Sequence, residues 1–214
     1  MGHFQEFEDE YLETLFDFHE KFPGERVRNG ALAQYLDVSP ASATEMVQRL
    51  ALNGFVEYLP YKGTSLTAKG LERGQMIKRR HRLAEVLLER LPFDGDIHET
   101  ACRMEHAFDD DLEVCISILL GNPQTDPSGQ KIPPPRAIIA EQISKGTNIK
   151  PLSNLEEGES GEIILILSDS SDLDVLQTLG ITSGSVISNS NGFQYNDYSI
   201  DLSDELSKRI IVRC

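Results

Sequence analysis

The chain has no run of about eighteen apolar residues, so no segment has the character of a membrane-spanning helix. It begins "MGHFQEFEDEYLE", acidic where a secretory leader is basic and then apolar, so no export signal is expected. Cysteine is scarce. Cys102, Cys115 and Cys214 are odd in number and irregularly spaced, which excludes a disulfide framework and points to a reducing, cytoplasmic compartment. No nucleophile-and-base signature stands out, and no glycine-rich loop coincides with a carboxylate-rich cleft. An enzyme acting on a small-molecule substrate is therefore not expected. An excess of cations is missing too: the net charge is −15 over 214 residues.

That last absence is uneven. Residues 26–82 hold ten Lys/Arg against four Asp/Glu, a local charge of +6, whereas 1–25, 83–150 and 151–214 carry −7, −6 and −8. A basic island of this kind is the usual electrostatic footprint for phosphate binding. Around it the apolar periodicity predicts an acidic amphipathic helix with Tyr11, Leu12, Leu15, Phe16 and Phe18 inward, ended by Pro23-Gly24. A short helix follows, with Asn29 as its cap and Ala31, Leu32, Tyr35 and Leu36 inward. A third is capped by Ser39, has Pro40 in first position, and stops before Gly54. "FVEYLPYKGTSLTAKG" then predicts two strands around Tyr61-Lys62-Gly63-Thr64.

Together these elements predict a winged helix-turn-helix that binds double-stranded DNA. The third helix carries the small and polar groups Ser39, Ala41, Ser42, Thr44, Glu45, Gln48 and Arg49, which let a backbone approach a groove floor. Asn29, Ser39, Ala41, Ser42, Thr44, Arg49 and the wing's Lys62 are the candidate DNA-contacting residues.

Residues 66–91 read as one long helix, followed by two more within 95–123. Their apolar surface (Met104, Phe108, Val114, Ile116, Ile118, Leu119, Leu120) exceeds what a small bundle buries, so a homodimer is expected. Residues 121–137 hold five prolines and two glycines and read as a connection. Beyond it "GEIILILS", "SVISNS", "DYSIDL" and "RIIVR" predict short strands of a small barrel, with one helical turn in "DLDVLQTLGI". The expected fold is mainly α with small β. A winged-helix domain spans 1–74, a helical metal-binding and dimerisation domain 75–132, a linker 133–150, and a small β-barrel domain 151–214.

"IHETACRMEHAF" concentrates metal-binding chemistry. His98, Cys102, Glu105 and His106 fall at i, i+4, i+7 and i+8, on about one third of a helix circumference. Ala101, Met104 and Phe108 form the adjoining apolar stripe. Imidazole, thiolate and carboxylate together suit a borderline cation such as Fe2+, Mn2+, Co2+, Ni2+ or Zn2+. His81 and Glu85 form a second pair at i, i+4, and the first helix offers Glu10 and Glu13.

"EYLETLF", "RHRLAEVLLE", "HETACRMEH" and "DPSGQKIP", in this order behind a winged helix, resemble the diphtheria toxin repressor family of metal-dependent transcriptional regulators. "PLSNLEEGESGEIILI" and "LQTLGITSGSVI" are similar to that family's C-terminal SH3-like (FeoA-type) domain. The resemblance implies an Fe2+- or Mn2+-activated repressor that binds palindromic operators as a dimer. It also implies two ligand sets: Glu10, Cys102, Glu105 and His106 in one, and His81, Glu85 and His98, with Asp169 and Asp172, in the other. The chain mixes two family patterns. Cys102 resembles iron-responsive members, whereas Glu10 stands where those tend to carry methionine. Manganese-responsive members have carboxylates in the first helix but a glutamate in place of Cys102. The thiolate favours the softer Fe2+, with Mn2+ as the alternative. Glu45 also departs from the glutamine or lysine typical of the recognition helix and could accept from cytosine N4. Two other classes are a metal-dependent hydrolase and a winged-helix adaptor with a core His/Cys cluster.

Overall fold

The computed structural model describes residues 2–145 and 148–214, with the side chains of residues 2–5 and 170 outside that description. The chain divides into two compact units, Met1–Arg79 and Arg80–Cys214.

The first unit is built from α1 (Gly2–Lys21), α2 (Asn29–Tyr35), α3 (Pro40–Leu52), β1 (Val56–Leu59), β2 (Gly63–Leu66) and the first half of α4 (Ala68–Arg90). α1 ends before Gly24, which adopts φ +83° and turns the chain. Its buried stripe is Tyr11, Leu12, Leu15 and Phe16. In α3, Ser39 accepts a hydrogen bond from the Ser42 amide at 3.1 Å, Pro40 occupies the first turn, and Gly54 follows at φ +75°. β1 and β2 pair antiparallel from Val56↔Leu66 to Leu59↔Gly63, so the wing tip is residues 60–62 and Gly63 and Thr64 already belong to a strand. One core of Tyr11, Leu12, Leu15, Leu32, Ala33, Ala43, Val47, Leu50, Val56, Met76 and Ile77 holds these elements together. α2 departs from expectation. Leu32 and Ala33 turn inward, while Tyr35 is 55% exposed. Arg28, not Asn29, stands at the cap position, and its guanidinium has no acceptor with which to cap; Asn29 is the first helical residue and its amide bonds Thr44 and Thr64.

The second unit starts with the rest of α4 and continues through α5 (Ile97–Met104), a 3-10 turn (Glu105–Ala107) and α6 (Asp110–Leu119). Asp96 and Asp109 cap α5 and α6 by accepting from the Glu99 and Leu112 amides, both at 2.8 Å. Leu83, Ala84, Val86, Leu88, Ala101, Phe108, Ile116, Leu120 and Ile132 form its helical core. The expected connection is more ordered than its prolines suggested. Thr125 bridges Lys131 antiparallel, Ile132 is buried, and α7 (Ala137–Ser144) places Ile139 wholly inside. Residues 146 and 147 of that segment lie outside the described residues.

Beyond α7 come β3 (Ile149–Pro151), β4 (Ser160–Ile166), α8 (Ser170–Thr178), β5 (Val186–Asn189), β6 (Phe193–Tyr195), β7 (Tyr198–Ser199), α9 (Asp204–Arg209) and β8 (Ile210–Arg213). The six strands make one antiparallel sheet in the order β3-β8-β4-β5-β6-β7 over a core that includes Leu152, Ile163, Leu176, Ile187, Ile210 and Val212. The "helical turn" of the sequence is the nine-residue α8, and β3, β6 and α9 had no distinct pattern to announce them. No described helix is long and apolar enough to cross a membrane.

Gly74 gives a test of this packing. On an open helix face, replacing glycine by alanine stabilises by about 1 kcal/mol. Here the added Cβ would lie 2.6 Å from the Leu12 carbonyl oxygen and 3.0 Å from the Phe16 Cβ. α1 and α4 would have to separate, so Gly74→Ala should destabilise by about 1–3 kcal/mol, read as a lowered denaturation midpoint.

Candidate metal centre and nucleic-acid interface

His81 lies on the inner side of α4 and is 3% exposed. Its Nδ1 is 2.7 Å from Glu105 Oε2, on the buried carboxylate that opens the 3-10 turn. This bond leaves Nε2 on the other side of the ring. There it stands 3.2 Å from His98 Nδ1 and 3.1 Å from Glu85 Oε1, and those two atoms are 3.1 Å apart. Three donor atoms from α4 and α5 thus form a nearly equilateral triangle. Ligands held about 2.1 Å from one ion lie roughly 3.0–3.4 Å apart, so the spacing fits a shared cation. A carboxylate on the far nitrogen is also the arrangement that orients metal-binding histidines. Cys102, one turn after His98 on α5, places Sγ 3.9 Å from His98 Nε2. The ligand atoms of His81, His98 and Cys102 all lie within 4.8 Å of one another. Burial favours the neutral form of Glu85, but His81 and His98 outweigh it and hold this carboxyl below its ordinary range, ready as an anionic ligand.

The helix expected to carry all four ligands of "IHETACRMEHAF" ends at Met104. Glu105 and His106 sit on the tighter 3-10 turn instead, and Phe108 then extends into the Asp109 cap of α6. The change of geometry separates Glu105 from the α5 face and turns it to His81. His106 Nε2 remains 3.5 Å from Glu105 Oε1. Glu105 therefore touches both expected ligand sets, a link that spacing along one ideal helix does not reveal. Glu10 is exposed on α1 in the first unit, and Glu13 pairs there with Lys78 at 2.8 Å. Asp169 and Asp172 have local employment. Asp169 Oδ1 caps α8 by accepting from the amides of Ser171 and Asp172, and Asp172 accepts from the Ser168 hydroxyl at 2.8 Å. Neither belongs to a group of three or more convergent ligands among the described residues.

Arg80 is the supporting residue that sequence reasoning missed. It precedes His81, donates to the Phe108 carbonyl, and pairs with Asp110 at 2.8 Å and Glu113 at 3.0 Å. Arg136 joins the same Asp110. The guanidinium thereby ties α4 to the end of the turn that bears Glu105 and His106. Its only sequence signal was an arginine inside "KRRHR" facing an acidic segment.

In the first unit the candidate DNA surface divides by exposure. Ser39, Ala41, Ser42 and Arg49 on α3 are exposed, as is Lys62 at the wing tip beside the fully exposed Tyr61. Arg49 also pairs with Glu8 at 2.8 Å. Thr44 and Asn29 are half-buried and bonded to each other, Asn29 Nδ2 donating to Thr44 Oγ1 at 3.3 Å. Much of the basic island is neutralised inside the protein. Arg26 pairs with Glu57, Arg73 with Asp9, and Lys78 with Glu13 and Asp17 in the first unit; Arg80 and Arg82 pair with Glu113 and Asp126 in the second. The charge count along the chain overstated the cation surface, because it is blind to partners distant in sequence.

Removing the Arg80 cation alone would take away the guanidinium 3.0 Å from Glu113, a carboxylate only 1% exposed. Arg80→Met should cost about 3–5 kcal/mol of stability, and Arg80→Met with Glu113→Leu should recover most of it. Chemical denaturation of the three chains checks this.

The sequence matches the family described as iron dependent repressor, N-terminal DNA binding domain, over residues 3–64. It matches the iron dependent repressor metal binding and dimerisation domain over residues 67–134. It is 31% identical over 160 residues to the iron-dependent repressor of Mycobacterium leprae, covering 73% of this chain and 68% of that one. To the diphtheria toxin repressor of Corynebacterium efficiens it is 26% identical over 217 residues, covering 94% of this chain and 93% of that one. Its fold is similar to that of a manganese-dependent transcriptional repressor in complex with manganese, with a TM-score of 0.54, 24% identity, and coverage of 96% and 99% of the two chains. With a winged helix, a cluster of His and Cys ligand atoms and matches to both family domains, the chain belongs to the iron-dependent repressor family of metal-responsive, DNA-binding regulators.

Proposed function

We propose that this protein is a cytoplasmic repressor that senses Fe2+ and, when metal-loaded, binds palindromic operators of metal-homeostasis genes as a homodimer. The observation that carries the reading is the triangle of His81 Nε2, Glu85 Oε1 and His98 Nδ1, with Cys102 beside it, in a chain that also holds a winged helix. Two sets of ligands would each gain from a divalent cation: Glu85 in the set with His81 and His98, and Glu105 and a Cys102 thiolate in the set with His106 and Glu10. The proposed ligands are His81, Glu85, His98, Cys102, Glu105 and His106, with Glu10 as a further candidate. Asp169 and Asp172 are proposed on the resemblance alone; Asp169 Oδ1 caps α8 and Asp172 Oδ2 accepts from the Ser168 hydroxyl. The thiolate favours iron; Mn2+ is the second reading, favoured by the hard oxygens of Glu10, Glu85 and Glu105. Operator DNA is the proposed partner, and no small-molecule substrate enters the reading.

DNA affinity should rise about 5–150-fold on adding Fe2+ to anaerobic, metal-free protein, the usual range for one effector coupled to one ligand. The DNA is a duplex selected from random sequence by the metal-loaded protein. Equal affinity with chelator and with metal rejects the switch, and a larger rise with Mn2+ selects the second reading. Cys102→Ala and Glu10→Ala should each weaken metal activation while leaving the folded chain intact. With Co2+ as a probe, a thiolate-to-cobalt absorption band should appear in the natural chain and vanish in Cys102→Ala. Metal affinity should fall as pH is lowered, because the three histidines must be neutral and the thiol ionised to bind.

A further inference from the structure

We propose that Asn29 is a positioning residue for DNA binding, locking the wing to the recognition helix without itself touching DNA. The proposal rests on the DNA-binding reading above. Both ends of the Asn29 amide are committed within the fold. Nδ2 donates to Thr44 Oγ1 on α3 at 3.3 Å, and Oδ1 accepts from Thr64 Oγ1 on β2 at 3.2 Å. Thr44 donates its own proton to the Pro40 carbonyl at 2.8 Å, so a lone pair is what it offers Asn29. Thr64 is wholly buried, and Asn29 satisfies its hydroxyl. Such a bond is costly to lose, because the hydroxyl would stay desolvated.

The segment leading into Asn29 is stitched to the same wing. Val27 and Thr64 exchange backbone hydrogen bonds at 2.8 Å in both directions. Arg26 donates to the Glu57 carbonyl at 3.0 Å and pairs with its carboxylate at 2.9 Å, reaching β1. Gly63, at φ +100°, permits the close approach; a Cβ there would lie 2.5 Å from the Val27 oxygen. Residues 26–29 are thus a strap across both wing strands, and Asn29 is its bond to α3. An asparagine reading adenine turns both ends of its amide to the base edge. Here one Nδ2 proton and one Oδ1 lone pair already hold the amide between α3 and β2, so it cannot be re-aimed at a base without giving up these bonds. A joint set before DNA arrives lets α3 and the wing engage together, without the ordering cost that a loose wing would add.

The distinguishing test is the salt dependence of DNA binding by the full, metal-loaded chain. Each phosphate contact contributes about 0.9 to the slope of log affinity against log salt. Lys62→Ala should lower the slope by about that much. Asn29→Ala, although it removes no charge, should lower it similarly and weaken binding about tenfold at low salt, with a lowered thermal midpoint of unfolding, because the buried Thr64 hydroxyl loses its acceptor, and with the Co2+ affinity little changed. The double variant should bind within about twofold of Lys62→Ala. Thr64→Val, which removes only the donor, should repeat the Asn29→Ala result and serves if that variant folds poorly. A natural slope in Asn29→Ala and Thr64→Val, or an Asn29→Ala loss that multiplies fully with that of Lys62→Ala, overturns the proposal. So does a natural slope in Lys62→Ala, since the wing would then make no phosphate contact for Asn29 to position. Absence of DNA binding by the natural metal-loaded chain is a failure of the DNA-binding reading itself, seen before any variant is made.

Discussion

The short contact between His81 and Glu105 governs the architecture of the metal centre. Both side chains are buried, at 3% relative exposure each, and 2.7 Å separates Nδ1 from the carboxylate. A buried imidazole and a buried carboxylate each need a hydrogen-bonding partner, and each supplies the other's. That requirement holds the turn at Glu105–Ala107 against α4. It also fixes which face of the His81 ring is left for Glu85 and His98. The chain leaves α-helical geometry at Met104, and the cost of ending a helix early is offset by the Asp109 cap and the Arg80 bond to the Phe108 carbonyl. Ligand geometry and helix termination are therefore one problem with one solution.

Neighbouring residues of α4 show how a helix sorts charge. Lys78 is nearly buried, and burial lowers an ammonium's affinity for its proton. Glu13 and Asp17 outweigh this and hold its pKa well above the usual lysine value. Two positions on, Arg80 meets Glu113 and Asp110, and Arg82 lies 3.6 Å from Asp126. The acidic segments that surround the basic island in sequence are thus its partners in space. The exposed cations of the island are Arg28 ahead of α2, Arg49 on α3, which also pairs with Glu8, Lys62 at the wing tip and Lys69 on α4.

The first unit uses polar joints where its apolar core does not reach. The core clamps α1, α2, α3, the start of α4 and, through Val56 with Tyr58 and Leu66, one side of the wing; strand pairing to residue 27 and the Asn29 amide add the polar attachment. A two-stranded ribbon is marginal alone, so its orientation depends on such attachments.

Much of this was legible in the residues. Ser39-Pro40 and Gly54 announced α3, the Val56–Leu66 pattern announced the hairpin, and the i, i+4 spacing brought His81 beside Glu85, because capping and periodicity are local physics. The chemistry of His98, Cys102, Glu105 and His106 was equally plain from composition alone. Three things needed the tertiary structure: the break at Met104 that turns Glu105 to His81, the pairing that hides Lys78 and Arg80, and the commitment of Asn29 to two threonines. Each depends on partners 15 to 65 residues away or on competition between a helix and a buried hydrogen bond. Local sequence determines which side chains can bond; only the packed chain decides which of them meet, because burial makes an unmet donor or acceptor too costly to leave.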